Sequence, residues 1–252
     1  MTERLRRDCP WDREQTATTI VPHTVEEAYE VADAALSGRD EKLLDELGDL
    51  LFQIFFLALT LQEQGAGNLE QVARTIHAKL VRRHPHVFGE AVAETPGQVR
   101  FRWEEIKREQ EQREGVFHDV PETLPSLMHA RKVQRRAAAV GFEYPDLAGA
   151  LGDFESELAE LREELEGKPD PVPERPPDER AAAELGDVLF ALVNVARHLN
   201  VDPELELRRA SGRFVERVER AEQLAAEHDE TWAELDLERQ DRWYDLAKEE
   251  QR

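Results

Sequence analysis

Cysteine is nearly absent: Cys9 stands alone, so no intrachain disulfide can form and a cysteine-based zinc site is excluded. Strand signals are also scarce, because few stretches alternate polar and apolar residues with period two. No apolar run is long enough to span a bilayer. The longest, Leu50 to Leu61, is broken by Gln53 and Thr60 and falls short of the roughly 20 residues a spanning helix needs. Positive charge is in deficit, and a formal net charge of -22 weighs against nonspecific attraction to nucleic-acid backbones or anionic lipid. Met1 to Cys9 carry basic side chains with no apolar stretch after them, which does not read as a secretory signal. Together these absences predict a soluble, cytoplasmic protein with neither nucleic acid nor membrane as partner. A phosphate substrate is still open to it, since divalent cations and a few local Lys or Arg can reverse the field inside one cleft.

What the chain does have is helical periodicity, with apolar residues at helical spacing flanked by Glu, Lys and Arg, and it reads as all-α. Helix starts are expected at His23 or Thr24, at about Glu41, at Leu69 and near Trp103. Ser37 to Asp40 and Gly65 to Gly67 serve as turns, and Pro85 as a stop. Gly115, Pro121 and Pro125 punctuate the middle, after which helices are expected around Glu157, from Asp178 to Asn200, from Pro203 to Glu227, and around Trp243. The segment 167–177 is too rich in proline for a helix or a central strand and reads as an extended loop.

An internal repeat organises the chain. Glu46-Leu47-Gly48-Asp49-Leu50-Leu51-Phe52 recurs as Glu184-Leu185-Gly186-Asp187-Val188-Leu189-Phe190, and the pair Glu27 and Glu30 recurs as Glu157 and Glu160. Lys79, Val81 and Arg83 match Arg213, Val215 and Arg217, and Trp103 matches Trp243. Two tandem helical domains, 1–115 and 116–252, follow from this repetition.

Residues three apart on a helix share a face, so Glu27 and Glu30 point together, as do Glu46 and Asp49. Four carboxylates converge if the two helices pack side by side. Such convergence is unfavourable without a cation, and an oxygen-only donor set favours magnesium or manganese over zinc or copper. Each acidic pair runs straight into an apolar tract, Leu50 to Leu61 or Val188 to Ala196, where isolated carboxylates do not belong. Lys42 and Arg180 stand one turn before Glu46 and Glu184. Lys79, Arg82, Arg83, Arg213 and Arg217 are candidates to bind phosphate oxygens, with Lys107 and Lys248 further along. Trp11, Trp103 and Trp243 can stack on a base or fill gaps between helices, and His84-Pro85-His86 has no third metal ligand nearby in sequence.

Glu26-Glu27-x-x-Glu30 followed by Glu46-x-x-Asp49 resembles the EExxE…ExxD pattern of the MazG family of nucleoside triphosphate pyrophosphohydrolases. Cys9-Pro10-Trp11-Asp12, Arg82 to Phe88 and Val140-Gly141-Phe142 are also similar to stretches of two-domain bacterial MazG proteins. The resemblance implies all-α domains that pair into four-helix bundles, usually as homodimers. It also implies magnesium-dependent cleavage of nucleoside triphosphates between the α and β phosphates, giving a monophosphate and pyrophosphate. On that likeness Glu27, Glu30, Glu46 and Asp49, and in the second half Glu157, Glu160, Glu184 and Asp187, ligate the metal. Glu26 or Glu30 is the general base in the first half, and the basic residues hold the phosphate tail.

The halves are unequal. Ser156 replaces the carboxylate that Glu26 supplies, whereas Asn194, a candidate sugar or base contact, stands where the first half has Phe56. A nucleotide-binding regulatory protein with one or both sites inactive is the alternative. A di-iron carboxylate bundle is disfavoured, because no Glu-x-x-His occurs anywhere in the chain. A homodimer is expected on physical grounds as well, since Leu50 to Leu57 is apolar almost all round its helix.

Overall fold

The computed structural model describes residues 1–91, 95, 115–117, 120–168 and 178–251. Among them every regular element is helical and no strand occurs. The chain divides into two compact units, Met1–Arg113 and Glu114–Arg252. No helix is long and apolar enough to cross a membrane, among the described residues.

In the first unit α1 (Thr2–Asp8) and α2 (Pro10–Glu14) precede a hairpin of two long helices, α3 (Ala17–Leu36) and α4 (Asp40–Glu63). They are followed by α5 (Leu69–Arg83) and the short α6 (Pro85–Phe88). The start of α3 lies a full turn or more before the expected His23 or Thr24. Thr16 accepts from the backbone N–H of Thr19, and the Thr19 hydroxyl accepts in turn from the N–H of Thr16, so a capping box fixes the start at Ala17. Ile20, fully buried, ties that first turn down. Pro22 sits inside the helix and removes one backbone donor, which the cap and the buried turn outweigh. The hairpin closes at Gly38, whose φ of +66° is open to glycine at little cost.

Arg6 on α1 anchors the N-terminal segment. Its guanidinium donates to the backbone oxygens of Asp12 and Gln15, pairs with Glu63 at 2.9 Å, and lies over the ring of the fully buried Phe56.

The second unit repeats the scheme. A leading helix α7 (Ser126–Ala138) is followed by the hairpin α8 (Leu147–Leu165) and α9 (Glu179–His198), then α10 (Pro203–Glu227) and α11 (Leu237–Glu250). Asp146, Asp178, Asp202 and Asp236 each cap a helix by accepting from its first backbone N–H groups. The correspondence runs further upstream than the motifs: Thr16 and Asp146 cap α3 and α8 at the same offset that relates the buried Arg136 to Arg6.

Ala221, Leu224, Ala225, Trp243 and Ala247 form the core between α10 and α11. Trp243 is buried there, donates its indole N–H to Glu230 at 2.8 Å, and lies against Arg239 and His228. The bidentate Arg239 and this indole hold the Glu230 carboxyl down to about 2. The helix expected around Trp103 and the 167–177 loop beyond Lys168 lie outside the described residues.

Candidate functional site

The α3–α4 hairpin sets Glu27 against Glu46 and Asp49, and one oxygen from each lies within 4.8 Å of the others. The α8–α9 hairpin does the same with Glu157, Glu184 and Asp187. The helical spacing places each pair on one face, and the antiparallel packing of each hairpin brings the faces together. The fourth carboxylate of each half sits beside its triad: Glu30 shares a hydrogen bond with Glu46, and Glu160 bears on Glu157 through its charge.

Burial grades across the cluster. Glu46 is 7 % exposed, Glu27 is half-buried and Asp49 faces solvent, while Glu157 and Glu184 are half-buried and Asp187 exposed. Burial, followed by repulsion from Asp49 and Glu46, pushes the Glu27 carboxyl above the usual carboxylate range. Glu46 is raised by burial, then by its hydrogen bond with Glu30, and Lys42 at 3.7 Å works in the opposite sense. Glu157 is raised by burial, then by Glu160 and Asp187. An octahedral magnesium ion holds its oxygens no more than about 4.2 Å apart, twice its ligand distance. Small side-chain adjustments therefore bring either triad onto such an ion, and the donor set is all oxygen.

These raised carboxyls make a sign-specific prediction. Unfolded, each releases its proton near 4.5, whereas folded and metal-free it keeps the proton to higher pH. The stability the three contribute is thus complete below that value and is lost as pH rises through their folded pKa values. A cation needs the deprotonated form and acts oppositely. The rise in melting temperature on adding magnesium should be small near about pH 5 and reach several degrees near about pH 7.5. Equal rises at both pH values would count against the clusters as cation sites.

The other predicted residues are distributed more widely. Glu26 is exposed, 3.7 Å from His23, and adds to the repulsion on Glu27. Lys79 is half-buried in a surface groove with Val72 and Ile76, Arg82 is exposed and Arg83 buried. Arg180 is exposed in the first turn of α9, Arg213 is exposed, and Arg217 donates to Gln251 at 2.9 Å. Asn194 is half-buried and accepts twice from Arg197, which also pairs with Glu143. Trp103 and Lys107 lie outside the described residues.

Two neighbours of the clusters were not anticipated. Gln53 is buried on α4 one turn beyond Asp49 and donates to Glu27. Asp153, one turn before Glu157, receives the Tyr144 hydroxyl at 2.6 Å and adds its charge to the second cluster. The signals were present in outline: a lone amide interrupting an apolar run, and an Asp four residues before a ligand candidate.

Comparison with known proteins gives a match between residues 15–88 and the model of the MazG nucleotide pyrophosphohydrolase domain, a span that contains the first cluster and not the second. Two relatives are similar over nearly the whole chain. The "Nucleoside triphosphate pyrophosphohydrolase/pyrophosphatase MazG" of Thermotoga maritima is 39% identical over 250 residues, 98% of this chain and 92% of the relative. The "Nucleoside triphosphate pyrophosphohydrolase" of Escherichia coli K12 is 39% identical over 255 residues, 98% of this chain and 95% of the relative. A protein of that same name from Mycobacterium tuberculosis is 36% identical over 143 residues, 56% of this chain and 44% of the relative.

Proposed function

The chain belongs to the MazG family, and from that membership we propose that it is a nucleoside triphosphate pyrophosphohydrolase working with magnesium, or manganese in its place, at its acidic clusters. The observation that carries the reading is the doubled triad of carboxylates on facing helices, with Glu27 and Glu157 raised by burial and then by their neighbours' charge.

Bound magnesium supplies charge neutralisation of the triphosphate and Lewis-acid polarisation of the α-phosphoryl group. Glu27, Glu46 and Asp49, with Glu30 beside them, hold it in the first unit, and Glu157, Glu184 and Asp187, with Glu160, in the second. Water attacks the α-phosphorus as Glu26 or Glu30 accepts its proton, the bond to the bridging oxygen breaks, and pyrophosphate leaves. Lys42 and Arg180 lie one turn from the carboxylates. Lys79, Arg82, Arg83, Arg213 and Arg217 are assigned to the phosphate tail, whose charge grows as pyrophosphate departs. Lys107 is a further candidate for those phosphate contacts, and Trp103, Trp243 and Asn194 are assigned to the nucleoside end. Of these, Trp243 must open from its packed core to stack on a base, and the Asn194 oxygen must exchange its Arg197 contacts to accept from one.

The reading extends to two domains, 1–115 and 116–252, in a cytoplasmic homodimer that clears nucleoside triphosphates, aberrant ones or those accumulated under stress. Exposed apolar stripes on both hairpins favour the dimer: Leu44, Leu47, Leu51 and Ile54 on α4, and Leu185, Leu189 and Leu192 on α9. Product analysis tests the chemistry. With magnesium and a nucleoside triphosphate, equal amounts of monophosphate and pyrophosphate are expected. Inorganic phosphate with a diphosphate would refute cleavage at the α–β bond, and tight binding without turnover would favour a regulatory nucleotide-binding protein.

A further inference from the structure

Gln53 lies on α4 one turn beyond Asp49, between the acidic cluster and the apolar half of the helix. Its side chain is 7 % exposed, its amide N–H donates to Glu27, and its carbonyl Oε1 is buried with no hydrogen-bond partner. A buried acceptor left unmet is destabilising, and for filling this place Leu or Met would serve better. In the second unit the matching position is Ala191, also buried, and Asn194 one turn later has its oxygen engaged by Arg197. That unit's own unmet amide oxygen, Oε1 of Gln134, is on α7, and its amide donates to the backbone oxygen of Phe190 and not to a carboxylate. Among the described residues, an amide that pairs with a cluster carboxylate and leaves its oxygen unmet is thus found at the first cluster, on Gln53.

We propose that Gln53 is a positioning residue of the first cluster, whose N–H holds Glu27 in its ligating orientation and whose Oε1 accepts a hydrogen bond from a water in the hydration shell of the cation bound there. This rests on the first cluster binding a divalent cation. Magnesium gives up its water reluctantly and usually keeps several molecules, whose protons then need acceptors. A ligating carboxylate in turn needs a partner on its second oxygen to stay oriented. An amide is uncharged and offers a donor and an acceptor on separate atoms, so one residue meets both needs. A water between Gln53 and the ion has the two or more polar partners that a buried water requires. The two clusters then differ in how tightly they hold an ion, although their carboxylate triads match.

The test uses the full chain carrying Glu184→Ala and Asp187→Ala, so that only the first cluster remains, with Mn2+ as the probe and free Mn2+ read by electron paramagnetic resonance. Adding Gln53→Met, close in volume but without hydrogen-bonding groups, should raise the Mn2+ Kd about tenfold, the usual cost of losing an outer-shell partner. The metal-free melting temperature should stay level or rise, because the unmet acceptor is gone. Unchanged Mn2+ affinity overturns the proposal, as does a fall in metal-free stability with affinity preserved. Absence of Mn2+ binding when Gln53 is native refutes the first cluster as a cation site, and this inference with it. Binding that is present but indifferent to Gln53 refutes the inference alone. Should Gln53→Met fail to fold, Gln53→Leu is read in the same way.

Discussion

Replacing Glu46 and Glu184 together by alanine should remove pyrophosphate release from nucleoside triphosphates, lowering turnover in magnesium by about 10³-fold or more. Each residue is a member of its triad, and Glu46 also meets Lys42 and Glu30. Without these carboxylates each triad is reduced to two members. The fold should survive, because the change relieves repulsion at sites where the carboxylates crowd one another. Circular dichroism of the metal-free variant would therefore match the parent chain. The single variants divide the activity: Glu46→Ala leaves only what the second unit contributes, and Glu184→Ala only what the first does. Turnover undiminished in the double variant would mean the chemistry is elsewhere.

A second large effect is expected at the apolar stripe of α4. Leu44, Leu47, Leu51 and Ile54 recur at spacings of three and four, and each is at least 41 % exposed within its own unit. That is the pattern of a helix waiting for another helix. Burying a leucine side chain is worth about 1.5 to 3 kcal/mol, and a symmetric pairing counts each residue twice. Leu47→Glu with Leu51→Glu should therefore weaken self-association by about 10³-fold or more, even after discounting the entropy of association. Sedimentation velocity over a range of concentrations would show a dimer becoming a monomer with its helical content intact. A parent chain that sediments as a monomer throughout would sink the proposed pairing.

Much of this architecture could be read before any coordinates, because long amphipathic helices declare their period and their ends. α5 and α10 carry Asn68 and Asp202 as caps directly before their apolar patterns, and their spans follow from those residues. The misses have particular causes. α7 is less legible because the residues it buries most, Gln134 and Arg136, are polar, while Leu127, Ala130, Val133 and Ala137 are only half-buried. α1 and α2 are too short for any period to accumulate, and depend on Arg6 reaching three tertiary partners. α3 starts earlier than the expected His23 or Thr24 because the Thr16–Thr19 reciprocal cap lacks the acidic residue that usually signals a helix start. At the site, helical spacing gave the two triads. It could not tell that Glu30 would share a hydrogen bond with Glu46, nor that Trp243 would be enclosed by Glu230, Arg239 and His228.

Each triad is assembled from two helices consecutive in the chain, so its closure is a local event. Glu27 and Glu46 are separated by 19 positions, Glu157 and Glu184 by 27. Loop-closure entropy grows only with the logarithm of length, and the longer connection adds only about 0.3 kcal/mol to bringing the second pair together. The tip of either hairpin can thus gain or lose residues with almost no effect on the carboxylates at its waist. Local contacts also form early and fast in folding. Two such hairpins in one chain can therefore close their carboxylate triads independently, each before the remainder of its unit has condensed around it.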